Sequence, residues 1–434
     1  MINRETLKRV IAEQRDQFLK LENPIQRDAI AAADFEKIAG LKEAVLITGV
    51  RRSGKSYLLK MIWQKIAAAA KNGKNAFFCV NFEDERLPGF SARDFDLLLE
   101  TYYEMFLPAG KTEKIYLFFD EIQIVEGWEK FINRLLRDER FKIFITGSNA
   151  ALLSKEIGTA LTGRFYPLAL YPLSFKEFLR FKRGELPPAS RHKAETSGEI
   201  KRIFNDYLEN GGFPEVVLQN FRPLLQEYLK SIVYRDIVLR YRIKNETSLK
   251  EIASFVISNI GAAASLENIA KMTRMKNLTT VKNYLSYLEN SFLFHRVSKY
   301  SHSIKEQIYN PDKFYCVDTG LYNEIAFLNS ANRGRLLENM VFMELKRRGK
   351  DVFYFKGAKE CDFAIKEKTK ITGACQVTKE LSPANEKREL GGLREAMDNF
   401  GLDEGLIITE GQEEERKTDG KKIRVVSLCK WLLE

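Results

Sequence analysis

The chain has 434 residues, 44% of them hydrophobic, and a formal net charge of +11, so it has enough apolar material for packed cores and is long enough for two or three domains. It has no apolar run of the roughly eighteen residues that a membrane span needs, and its opening, MINRETLKRVIAEQRDQF, alternates charged with apolar residues; a membrane partner and a secretory leader are not expected, and a cytoplasmic location is. Five scattered cysteines (Cys79, Cys316, Cys361, Cys375, Cys429), without CxxC or HxxxH spacing, argue against a disulfide framework and a structural zinc, and His295 in FLFHRV reads as a strand residue.

A helical N-terminal segment (1–30) is followed by the apolar run AVLIT and then by GVRRSGKS at 49–56. This is a complete GxxxxGKS loop between a strand and a helix. In that setting backbone N–H groups cradle phosphate oxygens and the next helix points its positive end at them. Gly49, Val50, Arg51, Arg52, Ser53 and Gly54 form the expected cradle. Lys55 is expected on the β and γ phosphates, Ser56 on Mg²⁺, and Tyr57 in the first turn of a helix over 55–70. The expected ligands are ATP and Mg²⁺. NAFFCVNFEDE (75–85) reads as a strand ending in carboxylates, and Asp94 to Phe106 as a helix. KIYLFFDEIQ then gives a strand, Tyr116 to Phe119, that ends in Asp120 and Glu121. There Asp120 would hold the metal's water shell and Glu121 would orient the attacking water, unless the pair merely caps the next helix.

FKIFIT (141–146) is the next strand and ends in GSNA. Ser148 and Asn149 at its tip can hydrogen-bond the γ-phosphate or the lytic water, and can equally cap a helix beginning at Ala150. AALLSKEIGTAL closes with Thr162, Gly163 and Arg164 before FYPLALYPL, a fifth strand. From there Arg164 either reaches a triphosphate across a subunit boundary, which requires a homo-oligomer, or pairs with a carboxylate in its own subunit.

The segments GVRRSGKS (49–56), NFEDERL (81–87), FFDEIQ (118–123) with Trp128, ITGSN (145–149), LTGRF (161–165), YPLSFKEF (171–178), GGFPEV (211–216), YRDIVLRY (234–241), VDTGL (317–321) and LLENMVFMEL (336–345) follow one another along the chain. In this order they resemble the AAA+ class, and more narrowly a widespread archaeal and bacterial family of predicted ATPases. The resemblance implies an α/β fold: a P-loop AAA+-type core with a parallel sheet (31–180), a helical lid (181–245), a winged helix (246–315) and a restriction-endonuclease-like α/β domain (316–434). It also implies that Glu121 is catalytic, that Ser148 or Asn149 stands in the first-sensor position, and that Arg164 stands at the usual finger position. GGFP resembles the glycine-proline element that couples a lid to the nucleotide in related signalling ATPases; on its own residues it is equally a tight inter-helix turn.

Between Arg222 and Lys359, 23 Lys and Arg stand against 13 Asp and Glu, so the positive charge is concentrated in the middle third. Such an excess is either the footprint of a polyanion, with DNA the preferred partner, or a solubilising surface. KEIASFVISNIG, SLENIAKMTRM and TTVKNYLSYLENSFL read as three short amphipathic helices. The strand FLFHRVSKYS and a return at KFYCVD complete the pattern of a winged helix-turn-helix. Thr279 to Asn290 is the recognition-type helix. Lys276, Lys282 and Asn283 at that helix, with Arg296 and Lys299 on the wing, suit phosphate contacts more than base reading. Winged helices also serve as packing modules, which makes a protein partner the alternative.

Restriction-type nucleases place a Glu on a helix, an Asp at one strand and a Glu-x-Lys on the next, so that carboxylates bind Mg²⁺ and the lysine assists the attacking water. Here Glu338 stands on RLLENMVFMELKRRG, Asp362 follows the strand VFYF, and ITGACQVTKEL supplies the third element. Gln376 replaces the acid and Thr378 the lysine, so these residues read as a vestigial nuclease site in a domain that does not cut. The whole chain reads as an ATP-hydrolysing switch or remodeller acting on DNA. The alternatives are a signalling module in which nucleotide gates protein assembly with slow turnover, and an ATP-dependent nuclease.

Overall fold

The structure is a computed structural model that describes residues 2–21, 25–30, 32–69, 76–106, 114–150, 163–184, 194–326, 333–418 and 420–434. The chain divides into two units, Met1–Leu170 and Tyr171–Glu434.

In the first unit five parallel strands, β1 (Ala44–Thr48), β2 (Ala76–Asn81), β3 (Ile115–Asp120), β4 (Phe141–Gly147) and β5 (Phe165–Ala169), form a sheet in the order β2-β3-β4-β1-β5. Every residue of β1 is buried, as a strand covered on both faces requires. Successive side chains go to opposite layers. Val45, Ile47, Phe118 and Phe144 meet Leu58, Leu59 and Ile62 of the helix Lys55–Ala69. Leu46, Phe78, Phe119 and Ile145 meet Leu7, Val10 and Ile11 of the N-terminal helix Arg4–Leu19, together with Phe95, Trp128 and Phe131. Thr48 pairs with Gly147, and Asn81 with Asp120, so the carboxyl ends of four strands share one edge. In open sheets of this kind ligands bind at that edge.

One local expectation changes. The strand expected over 75–85 ends at Asn81, because the acidic run after it folds into a turn: the Asn81 side chain accepts the Glu83 N–H, and Asp84 accepts the Arg86 N–H. The helix expected from Ala150, with Thr162 at its close, falls within 151–162, outside the described residues.

The second unit begins with the helices Phe175–Arg183, Ala194–Asn210, Pro214–Gln219 and Leu224–Ser231, the last running into a π-helical stretch, Ile232–Leu239. Gly211 and Gly212 form a close turn. The Asp318 carboxylate accepts the Gly212 N–H at 2.7 Å, the Gly212 carbonyl accepts the Leu173 N–H at 2.7 Å, and a Cβ on Gly212 would lie 2.4 Å from the Leu173 oxygen.

Three helices follow, Glu246–Ser258, Leu266–Met272 and Leu278–Asn290, each begun by a side chain (Asn245, Ser265, Asn277) that accepts a first-turn N–H. With them goes a three-stranded antiparallel sheet of β6 (Ala263–Ala264), β7 (Phe294–Val297) and β8 (Asp312–Cys316), in the order β6-β8-β7. The last part is a six-stranded mixed sheet, β9 (Asp351–Lys356), β10 (Glu360–Glu367), β11 (Lys370–Val377), β12 (Glu404–Thr409), β13 (Glu414–Thr418) and β14 (Lys421–Ser427), in the order β13-β14-β12-β11-β10-β9. The helices Arg333–Arg347, Glu386–Phe400 and Leu428–Leu433 accompany it. Among the described residues no helix is long and apolar enough to cross a membrane.

Candidate nucleotide site

The buried strand β1 leads directly into the Gly49–Gly54 loop, and the helix beginning at Lys55 follows it. Gly49 packs so closely on the strand-exit backbone that a Cβ there would lie 2.0 Å from the Leu170 oxygen. Gly54 and Arg52 both have positive φ, 97° and 70°, which turns successive backbone N–H groups toward one side of the loop. Arg27, buried, donates to the Ser53 carbonyl at 3.0 Å, and Arg51 pairs with Glu83 at 2.8 Å. The loop is therefore held from the N-terminal segment and from the turn after β2, two supports that no local motif signals.

Lys55 is buried, donates to the carbonyls of Gly49 and Val50 at 3.1 and 3.2 Å, and stands 3.6 Å from Glu121. Asp120 and Glu121 leave the tip of β3 side by side, and Glu121 takes a left-handed φ of 52° that re-aims its carboxylate. Thr146 on β4 joins the two: its hydroxyl donates to Asp120 and accepts the Glu121 N–H at 2.9 Å. Burial, and then the neighbouring Glu121 charge, push the Asp120 carboxyl up to about 6 against hydrogen bonds from Ser56 and Thr146. Burial also acts to raise Glu121, but Lys55, Gln123, Arg51 and Ser148 outweigh it and hold that carboxyl below its ordinary value.

Ser148 and Asn149, both buried, follow β4, which lies between β1 and β3. Ser56 and Tyr57 are exposed in the first turn of the helix, and Ser56 faces Asp120. A cavity of about 450 Å³ opens beside these two, bounded also by Gln14, Asn81, Glu83 and Asp84. An exposed hydroxyl and a carboxyl, hydrogen-bonded to each other, are the hard oxygen donors that Mg²⁺ takes, so the donor set fits that ion.

Residues 41–179 match the AAA domain family, and residues 201–332 a domain of unknown function. An uncharacterized protein from Methanocaldococcus jannaschii is 37% identical over 408 residues, which span 89% of this chain and 88% of that one. The chain belongs to the AAA+-type ATPase family.

The chain is also 35% identical over 399 residues to an uncharacterized protein from Haemophilus influenzae, across 90% of this chain and 94% of that one. It has 14% identity and a TM-score of 0.31 to the Aeropyrum pernix Orc1 protein solved in complex with DNA, covering 80% of this chain and 94% of that chain, a likeness too distant to speak to function.

The other sequence-derived positions fall in three places. Arg164 is at the entry of β5, its carbonyl accepting the Ala44 N–H and its guanidinium donating to Asn133, an amide where the alternative reading expected a carboxylate. Since β5 runs parallel to β1, Arg164 lies at the opposite end of the sheet from the Gly49 loop, about 16 Å along the strand, and does not serve the loop of its own subunit. Lys276, Lys282 and Asn283 are exposed at the Leu278–Asn290 helix. Arg296 is engaged by Glu289 and Asp312 at 3.3 and 3.8 Å, and Lys299 makes a backbone bridge to Tyr354.

The structure brings Glu338, Asp362 and Gln376 together. It adds to them four side chains that the sequence reading did not single out, Lys313, Tyr315, Glu360 and Glu389. His295 is a strand residue, on β7, with its Nε2 buried.

Proposed function

We propose that the chain hydrolyses ATP with Mg²⁺ and works as a nucleotide-driven switch or remodeller, with DNA as the polyanion it acts on. The observation that carries this reading is the convergence of Lys55, Glu121, Asp120 and Ser56 at one sheet edge, tied by Thr146. The loop amides and Lys55 bind the triphosphate, and Lys55 balances negative charge as the γ-phosphoryl group leaves. Glu121, ionised and adjacent to Lys55, accepts a hydrogen bond from the attacking water and aligns it. Ser148 and Asn149, at the tip of the intervening strand, report whether the γ-phosphate is present. Ser56 and Asp120 would hold the magnesium ion, which when bound neutralises phosphate charge.

Arg164 fits a role in a neighbouring subunit, because its own loop lies at the other end of the sheet; this supports a homo-oligomer. The helices Glu246–Ser258 to Leu278–Asn290 with β6, β7 and β8 support the winged-helix reading. Lys276, Lys282 and Asn283 are its exposed contact residues; Arg296 is the weakest of the five, since two carboxylates already engage it.

One observation favours a second reading, nucleotide-gated protein assembly. Ile304, Ile308 and Tyr309, on the helix between β7 and β8, are all more than 70% exposed, and apolar groups so placed suit a protein surface better than phosphates. Steady-state ATPase measured with and without single- and double-stranded DNA separates the two. Stimulation by DNA supports the first reading and indifference to DNA the second. Glu121→Gln should retain nucleotide binding and lower turnover by about 10²-fold or more; full turnover in that variant would overturn the assignment of Glu121 as the residue that aligns the water.

A further inference from the structure

The terminal domain resembles a metal-dependent nuclease in the order of its acidic residues, but its donor set does not fit a divalent cation. Lys313, on β8, sends its ammonium into the carboxylates. Its Nζ lies 3.2 Å from Glu338, 2.9 Å from Glu360 and 3.4 Å from Asp362, and the side chain is 2% exposed. Hydrogen bonds from neighbouring groups hold two of these acids further. Tyr315 donates its hydroxyl at 2.6 Å to the same Glu338 oxygen that Lys313 contacts, and the Val377 N–H donates to the second Asp362 oxygen at 2.9 Å. A Cβ on Gly261 would come within 2.9 Å of Glu338, so the turn before β6 already lies against that carboxylate. Gln376 spends its oxygen on the Asp362 N–H at 3.1 Å and its amide on Glu389 at 2.7 Å. Among the described residues no group of three His, Cys, Asp or Glu is arranged to hold a metal.

We infer that Lys313 is the resident cation of this domain: its ammonium takes the place that Glu338, Glu360 and Asp362 would otherwise offer to a divalent ion, and makes the domain a metal-free, non-cleaving module. A fixed, buried positive charge among these carboxylates compensates them as a metal would. It leaves no Lewis acid and no activated water. Burial opposes the charge on Lys313, but Glu338, Tyr315, Asp362 and Glu360 outweigh it and hold the ammonium protonated. Because Lys313 comes from β8 and two of its acids from β10, the same group also fastens the three-stranded sheet to the six-stranded one.

The test is Mn²⁺ uptake by the nucleotide-free full chain, read by electron paramagnetic resonance, and it is independent of ATP turnover. Wild type should hold no Mn²⁺ that Asp362→Asn removes. Lys313→Ala should gain about one ion per chain, lost again when Asp362→Asn is added. Wild-type Mn²⁺ that disappears with Asp362→Asn, or a folded Lys313→Ala protein that takes up none, overturns the inference. The wild-type comparison decides even where Lys313→Ala does not fold. A second readout is supercoiled DNA with Mg²⁺ or Mn²⁺: it should remain uncut, and nicking that Asp362→Ala abolishes would overturn the proposal.

Discussion

At the scale of single residues, Thr146 ties the two acids of the strand tip together, and His295 carries a pH dependence of its own. Thr146 is fully buried and joins Asp120 to the Glu121 backbone. Thr146→Val keeps the shape and removes the hydroxyl, leaving a buried N–H without its acceptor. It should cost about 1–3 kcal/mol in chemical denaturation and lower ATP turnover as well. His295 is held neutral: burial, and then Lys346 and Arg347, press its pKa down to about 3. A histidine depressed in the folded state gives stability that is complete above the unfolded value near 6.5 and is lost as pH falls toward 3. The His295 contribution to the thermal midpoint should therefore fall from about pH 6.5 to 5, against the opposite contribution of Asp120, whose raised carboxyl titrates in the same window. His295→Phe, which suits the neighbouring Tyr171 and Phe342 rings, should remove that contribution, so the difference between wild-type and variant midpoints should change across this window; a constant difference would show that His295 is not the group responsible.

At the scale of elements, glycines separate positions set by tertiary contact from positions set by helix propensity. Gly212 lies where the turn after Ala194–Asn210 presses on Leu173, and added carbon there meets backbone oxygen at 2.4 Å. Gly212→Ala should destabilise by more than the roughly 0.4–1 kcal/mol that Gly→Ala gains at an unstrained site. Gly198, inside that helix, has open space for 4 Å around an added Cβ, so Gly198→Ala should show the opposite sign and gain about 0.5–1 kcal/mol. Denaturant midpoints of the two variants, measured side by side, test the contrast; equal effects would mean that the Gly212 turn is looser than its geometry. Thr378 stands just past β11, and β8 supplies an ammonium to the carboxylates from another element.

At the scale of the molecule, the excess of Lys and Arg between Arg222 and Lys359 bears on partner choice. If that charge meets DNA, binding measured by fluorescence anisotropy should weaken steeply with salt, with a log–log slope of about −0.9 per phosphate neutralised. Reversing the exposed Lys276 and Lys282 to Glu should weaken duplex binding across sequences and make the slope shallower, without altering basal ATPase. Binding that is indifferent to salt and to both reversals would move the assignment toward protein assembly.

The sequence by itself determined what depends on neighbours along the chain. AVLIT alternates between two buried layers, a short loop joins it to a helix at Lys55, and side-chain caps at Asn245, Ser265 and Asn277 start three helices. Those follow from periodicity and backbone geometry within a few residues. Only the tertiary structure decided the contacts between distant positions: Thr146 with Asp120, Gly212 with Asp318, and Lys313 with Asp362, which stand 26, 106 and 49 residues apart. A buried charge or N–H must find a partner wherever the fold brings one, and no local spacing encodes which strand will supply it. That is why the P-loop and the acidic strand tip were legible before folding, and the cation within the terminal carboxylates was not.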